Sequence, residues 1–240
     1  QKTIKYFQNN IQSSLNLIEC MEEARIFKLI FSSSATVYNI NQKIPLDENS
    51  HIGTTLNPYG TSKYIVERIL MDVAKFDKRW KIGIARYFNP IGNHRSGLLK
   101  EKPKSEIKNL LPCIVDVMLN KRKYLKIFGK NYKTKDGTCI RDYIHVVDLA
   151  DAHVALLKSK KFKNGSNIYN FGTGKGNSVL EILRTFENVS KHRISYKYIK
   201  KRDGEAPISV CSVKKSNKDL NWRSKLTVKD AIVDLAKIRY

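Results

Sequence analysis

A short apolar run, Phe27-Lys-Leu-Ile-Phe31, ends in Ser32-Ser-Ser34 and is flanked on both sides by helical periodicity. Before it, apolar residues recur at Ile4, Phe7, Ile11, Leu15, Ile18 and Met21. Steps of three and four put them on one helix face. After it, a polar loop from Asn39 to Asn57 leads to Pro58. Proline suits the first turn of a helix, where its missing N–H would have no partner anyway. Ile65, Ile69, Val73 and Phe76 line this second helix, and Lys81-Ile-Gly-Ile-Ala-Arg86 is the next strand. Apolar strands alternating with helices predict an α/β fold built on a doubly wound parallel sheet.

The alternation begins in the middle of a unit. A complete dinucleotide-binding fold opens with a strand and a glycine-rich turn, and neither precedes Ile4. The N-terminal part of such a domain is therefore expected to be missing, and with it most of the hold on a dinucleotide. Residues 1–93 read as what remains of that domain. Residues 94–240 read mainly as a smaller α/β lobe, with segments returning to the first sheet. There the pattern predicts helices over 107–119, 147–158, 179–189 and 228–238, and strands over 125–128, 139–144, 168–171 and 195–199. Gly172-Thr-Gly-Lys-Gly176 follows a strand and precedes a helix, but its spacing matches neither phosphate-loop pattern, so it reads as a structural turn.

Charge and cysteines narrow the class. Lys and Arg number 45 against 22 acidic residues. The lysines are spread along the chain, and the longest clusters, Lys121-Arg-Lys123 and Lys200-Lys-Arg202, are short. That is a solvated surface, part of it serving an anionic ligand, and no nucleic-acid partner is expected. Cys20, Cys113, Cys139 and Cys211 form no C-x-x-C pair and no metal-ligand spacing, which suits the cytoplasm and predicts no metal site. No apolar run reaches the ~20 residues of a membrane span.

Chemistry concentrates at Tyr59-Gly-Thr-Ser-Lys63. Four residues apart on a helix, the two side chains share a face. An ammonium near a phenol stabilises the phenolate and makes tyrosine a usable base. The serines at the end of the first strand lie where open α/β sheets bind ligands, and a hydroxyl there can reach both substrate and phenol.

Strand-end serine, loop and Tyr-x-x-x-Lys together resemble the extended short-chain dehydrogenase/reductase family. The stretches Phe31–Tyr38, Pro58–Lys63, Arg86-Tyr-Phe-Asn-Pro90, Ile127-Phe-Gly129, Asp136–Val146 and Tyr169–Gly174 resemble its UDP-hexose 4-epimerase branch. The resemblance runs from about Tyr6 to Ala236. It implies a truncated Rossmann domain, NAD as cofactor, and interconversion of UDP-glucose and UDP-galactose, extending to UDP-N-acetylhexosamines, through a 4-keto sugar. A non-catalytic remnant that binds nucleotide sugar is the alternative. Tyr59 would be the base, Lys63 would bind the nicotinamide ribose and depress the tyrosine pKa, and Ser34 would hydrogen-bond the C4 oxygen. Ala35 and Thr36 stand where related dehydratases and decarboxylases carry an acid. Asn9 and Phe88 match cofactor-contacting positions, though Phe88 also reads as core. Asn89, Asn109, Leu110 and Phe128 match positions lining the nucleotide sugar. Arg141 and Arg202 match the diphosphate arginines, Arg141 having Asp142 or Asp148 as other possible partners. Glu205 matches the acid on the uridine ribose, and Ser209 a residue beside the C2 substituent. A homodimer through helices 4–21 and 59–76 is also implied.

Overall fold

The structure is a computed structural model and describes residues 3–40, 42–99, 109–202 and 204–236. In chain order the first half holds α1 (Thr3–Phe7), α2 (Ser13–Glu23), β1 (Lys28–Ser34), α3 (Pro58–Phe76), β2 (Lys81–Tyr87), β3 (Asn89–Ile91) and α4 (Leu110–Met118). Then come β4 (Leu125–Phe128), β5 (Ile140–His145), α5 (Val146–Lys158), β6 (Gly165–Phe171), β7 (Gly176–Ser178) and α6 (Val179–Ser190). The chain closes with β8 (Tyr196–Ile199), β9 (Ile208–Ser209), α7 (Lys214–Leu220) and α8 (Val228–Ala236).

Two compact units emerge. The first comprises residues 1–88, 152–171 and 211–223, the second 89–151, 172–210 and 224–240. The first is a parallel sheet in the order β1-β2-β6, with Lys28 opposite Lys81 and Lys81 opposite Gly165. Ile82 and Ile84 of its middle strand are wholly buried, beside Trp80, Val66, Leu70 and Ala74 from the loop before β2 and the inner face of α3. A Cβ on Gly83 would come within 2.9 Å of Leu156, so glycine lets α5 pack close against β2. This is the expected parallel α/β architecture.

One expectation changes. The helix foreseen over 4–21 runs from Thr3 to Glu23, but Gln8–Gln12 forms a turn of π-helix inside it. The wider turn re-aims the residues before it, a device common near functional sites.

In the second unit β5 lies between β3 and β7 and also pairs with β9, while β4 and β8 form a separate parallel pair. Its core gathers Leu111, Ile114, Leu125, Ile127, Ile182, Leu183, Phe186 and Ile232. The helix expected over 107–119 covers Leu110–Met118, with 107 and 108 outside the described residues. Of that expected over 228–238, positions 237 and 238 lie outside them too.

Candidate active site

The end of β1 and the start of α3 build the first group of side chains. Ser34 leaves the strand and caps a single 3-10 turn, Ala35–Val37; its Oγ accepts from the Thr36 N–H at 3.2 Å and the Thr36 hydroxyl at 3.0 Å. Asn57 caps α3, its Oδ1 accepting the Gly60 N–H at 2.8 Å, and Pro58 fills the first turn. Tyr59 follows at once and stays 36% exposed. The Ser34 hydroxyl is hydrogen-bonded to its phenol, which brings Ser34 and Tyr59 together.

Lys63 lies one turn further along α3. Its Nζ donates to the Ser32 carbonyl at 2.9 Å and stands 5.8 Å from the Tyr59 ring centre. Burial pushes the Tyr59 phenol above its usual value of 10, against the downward pull of the Ser34 hydrogen bond. Burial likewise lowers the Lys63 ammonium. Burial is the larger effect here, and the phenol stands above its usual value with Lys63 one turn away.

Three neighbours went unnoticed in the sequence. The Tyr6 ring meets Tyr59 edge-on at 6.2 Å. Asn10, in the π-helical turn, donates to Ser62 Oγ at 2.7 Å, and Ser62 donates to the Tyr59 carbonyl at 2.7 Å. Tyr87 donates to Ser32 Oγ at 2.6 Å and is hydrogen-bonded to His153. The Tyr-Phe-Gln-Asn-Asn run at residues 6–10 was a usable signal, since aromatic and amide side chains rarely face solvent together without a task. Nothing marked His153. Asn9 is exposed in the π-helical turn, where its carbonyl accepts the Ser13 hydroxyl. Phe88 is only 6% exposed and packs with Val37, Leu46 and Cys211, so its side chain is a core element.

The second unit builds another group. Arg141 on β5 donates to Glu205 at 3.1 Å, and the Tyr132 hydroxyl donates to Glu205 at 3.0 Å. Arg202 stacks 3.7 Å above the Phe128 ring, a cation–π contact. Ser209 lies on β9 directly opposite Arg141. Arg141 thus pairs with Glu205, and neither Asp142 nor Asp148 is its partner. Asp148 accepts the N–H groups of Lys225 and Leu226. Asp142 accepts those of Thr173 and Gly174 at 2.8 and 2.9 Å, which fills the turn of the glycine-rich loop with the protein's own carboxylate. That loop is a structural turn and has no free cradle for phosphate. Asn89 opens β3, and Asn109 and Leu110 stand at the start of α4. Among the described residues no cluster of His, Cys, Asp or Glu could hold a metal ion.

Known proteins resemble this chain over most of its length. The UDP-glucose 4-epimerase of Pasteurella multocida is 46% identical over 222 residues, covering 92% of this chain and 66% of that protein. The crystal structure of UDP-glucose 4-epimerase from Bifidobacterium longum in complex with NAD+ and UDP superimposes with a TM-score of 0.94 at 42% identity, over 99% of this chain and 71% of that one. The UDP-Glc/GlcNAc 4-epimerase from Campylobacter jejuni gives a TM-score of 0.78 at 34% identity, over 99% of this chain and 73% of that one. The chain spans about two thirds of the length of these relatives. Residues 1–172, which carry the serine, tyrosine and lysine just described, match the NAD dependent epimerase/dehydratase family, and to that family this chain belongs.

Proposed function

We propose that this chain carries out NAD-dependent C4 epimerisation of UDP-hexoses, interconverting UDP-glucose and UDP-galactose. The observation that carries the reading is the Ser34 hydroxyl on the Tyr59 phenol with Lys63 one turn away. Tyr59 removes the C4 hydroxyl proton, relayed by Ser34, and returns it when the sugar is reduced on its other face. Lys63 uses one N–H on Ser32 and keeps others for a ribose diol, which fits a dinucleotide at this site. Asn9, exposed in the π-helical turn next to Asn10, serves the same ligand. Bound NAD supplies the hydride acceptor and, when oxidised, a positive charge that draws the raised phenol down towards neutrality. Ala35 and Thr36 offer no carboxylate for attack on a C5 or C6 proton, which favours epimerisation over dehydration.

Arg141 and Arg202 take the diphosphate, where a planar guanidinium matches paired oxygens. Glu205 takes the uridine ribose, and Asn89, Asn109, Leu110 and Phe128 line the nucleotide sugar. The half-buried Ser209 leaves room for a C2 acetamido group, so UDP-N-acetylhexosamines are substrates too.

The first helix and α3 present apolar side chains to solvent, Ile4 at 70% and Phe76 at 80% exposure, together with Leu17. We read this as a homodimer face. Cysteines that form no disulfide among the described residues suit the cytoplasm. No helix among the described residues is long and apolar enough to cross a membrane.

The test is Tyr59→Phe assayed for UDP-galactose turnover with NAD supplied at saturating concentration. Loss of the base lowers kcat by about 10²- to 10⁴-fold with little change in KM. Full activity in the variant would sink the proposal.

A further inference from the structure

The inner face of α3 continues past the two residues already placed. Tyr59, Lys63 and Glu67 are spaced four apart and share one side of the helix. Glu67 is 0% exposed. Its carboxylate receives Arg86 through Nε at 3.0 Å and Nη2 at 2.7 Å, and it also accepts the Ser33 hydroxyl. Arg86 is 1% exposed and gives its remaining nitrogen to Tyr38 at 3.1 Å and the Glu48 carbonyl at 3.3 Å. Tyr38 donates in turn to Asn170 at 2.7 Å. Ser33, Arg86 and Asn170 are exact ladder partners across β1, β2 and β6. A polar row therefore crosses all three strands immediately before the row that carries Ser34.

A buried ion pair is a poor device for stability, because an apolar set of similar volume is often as good or better. It is a good device for setting geometry. Arg86 is held in the sheet by Tyr38 and Glu48, so its fork offers Glu67 one position and one orientation. Glu67 lies two turns, about 12 Å, along α3 from Tyr59. The helix is anchored to β1 by Lys63 on Ser32 and by Glu67 on Ser33, and only the second anchor has directional contacts on both oxygens.

We propose that Glu67 is a positioning residue: gripped by Arg86 and Ser33, it fixes the slide and rotation of α3 along β1, and so where the Tyr59 phenol stands against Ser34. This rests on the epimerase reading of Tyr59. Without the grip, substrate and cofactor still bind, but the proton relay lengthens.

The experiment compares Glu67→Gln with an all-apolar triple variant, Ser33→Ala/Glu67→Met/Arg86→Met, with NAD supplied at saturating concentration. Three readouts are taken: thermal melting, the kcat and KM of UDP-galactose turnover, and the titration of Tyr59 followed by carbon-13 NMR of labelled tyrosines, assigned with Tyr59→Phe. A displaced helix costs kcat about 10- to 100-fold. KM stays within about twofold, since no group that binds substrate is lost. The Tyr59 titration moves upward as the Ser34 hydrogen bond weakens. The triple variant melts within a few degrees of the wild type yet keeps the kcat loss. If it instead recovers wild-type kcat and an unshifted Tyr59 titration, the pair is merely structural and the proposal falls. If Glu67→Gln does not fold, the triple variant decides alone. A wild-type chain without epimerase activity would refute the proposed function, and the Tyr59 titration would still decide the role of Glu67.

Discussion

Replacing Gly60 by alanine sets two effects of known size against each other. Alanine is the better helix former by about 1 kcal/mol in a helix interior, and the gain is smaller in a first turn. Against it stands contact. A Cβ at Gly60 would lie 2.9 Å from the Thr36 carbonyl oxygen and 3.4 Å from the side chains of Thr36 and Thr55. The nearest atom is backbone, in the 3-10 turn that Ser34 caps, so relief requires moving either that turn or the start of α3. Overpacking of this kind costs about 1–3 kcal/mol. The clash wins, and the expected net loss is ~1 kcal/mol, or a melting temperature lower by roughly 2–4 °C for a chain of this size. The catalytic effect is the larger one. Either movement separates Tyr59 from Ser34, and a shift of this kind lowers kcat by about 10- to 100-fold while KM holds. Thermal unfolding and UDP-galactose turnover measure both. A Gly60→Ala protein that melts above the wild type with full kcat would refute the reasoning.

Two further outcomes are expected. UDP-N-acetylglucosamine is turned over beside UDP-glucose, and Ser209→Tyr cuts the acetylated sugar selectively by about 10- to 100-fold; an unchanged ratio removes Ser209 as the gate. Burial holds the His145 imidazole below its usual 6.5, only partly offset by Asp234, so the fold binds the neutral form. The unfolded chain then takes up more protons below pH ~6.5, and stability falls as pH drops through that window by up to about 1.4 kcal/mol per unit. Urea midpoints between pH 7.5 and 5.5 should show this slope, and His145→Gln should flatten it.

Much of the site was readable because each part of it obeys a local rule. Asn57 and Pro58 announce the start of α3 to the residue, and the Tyr-x-x-x-Lys spacing makes sense only on a helix. β1 is a strand because Leu29-Ile-Phe31 is a short apolar run free of glycine and proline, and the apolar Ile82 and Ile84 mark β2. The unread features depend on partners far away in sequence. Glu67, beside Arg68, looks like a solvent-facing charge, and only Arg86 and Ser33 explain its burial. The π-helical turn leaves no periodic trace over five residues, and β3, β7 and β9, of two or three residues each, are too short to alternate. The helix Lys-Lys-Ser-Asn-Lys-Asp-Leu at 214–220 is polar up to its last residue and buries only Ser216 and Leu220. Burial, which raises the Tyr59 phenol and lowers the Lys63 ammonium, depends on packing that the Tyr-x-x-x-Lys spacing does not carry.

The sheet of the first unit has a consequence for how the chain is made. Its middle strand, β2, pairs with β6, and Lys81 meets Gly165 across roughly 80 intervening residues. At ~5–20 residues per second of synthesis, β2 waits about 4–16 s for that partner. During this interval Ile82-Gly-Ile-Ala85 shows an apolar strand with one unpaired edge, the geometry that captures other chains. A ribosome-bound nascent chain paused between these strands should therefore recruit holdase chaperones, and release them once Phe171 has emerged.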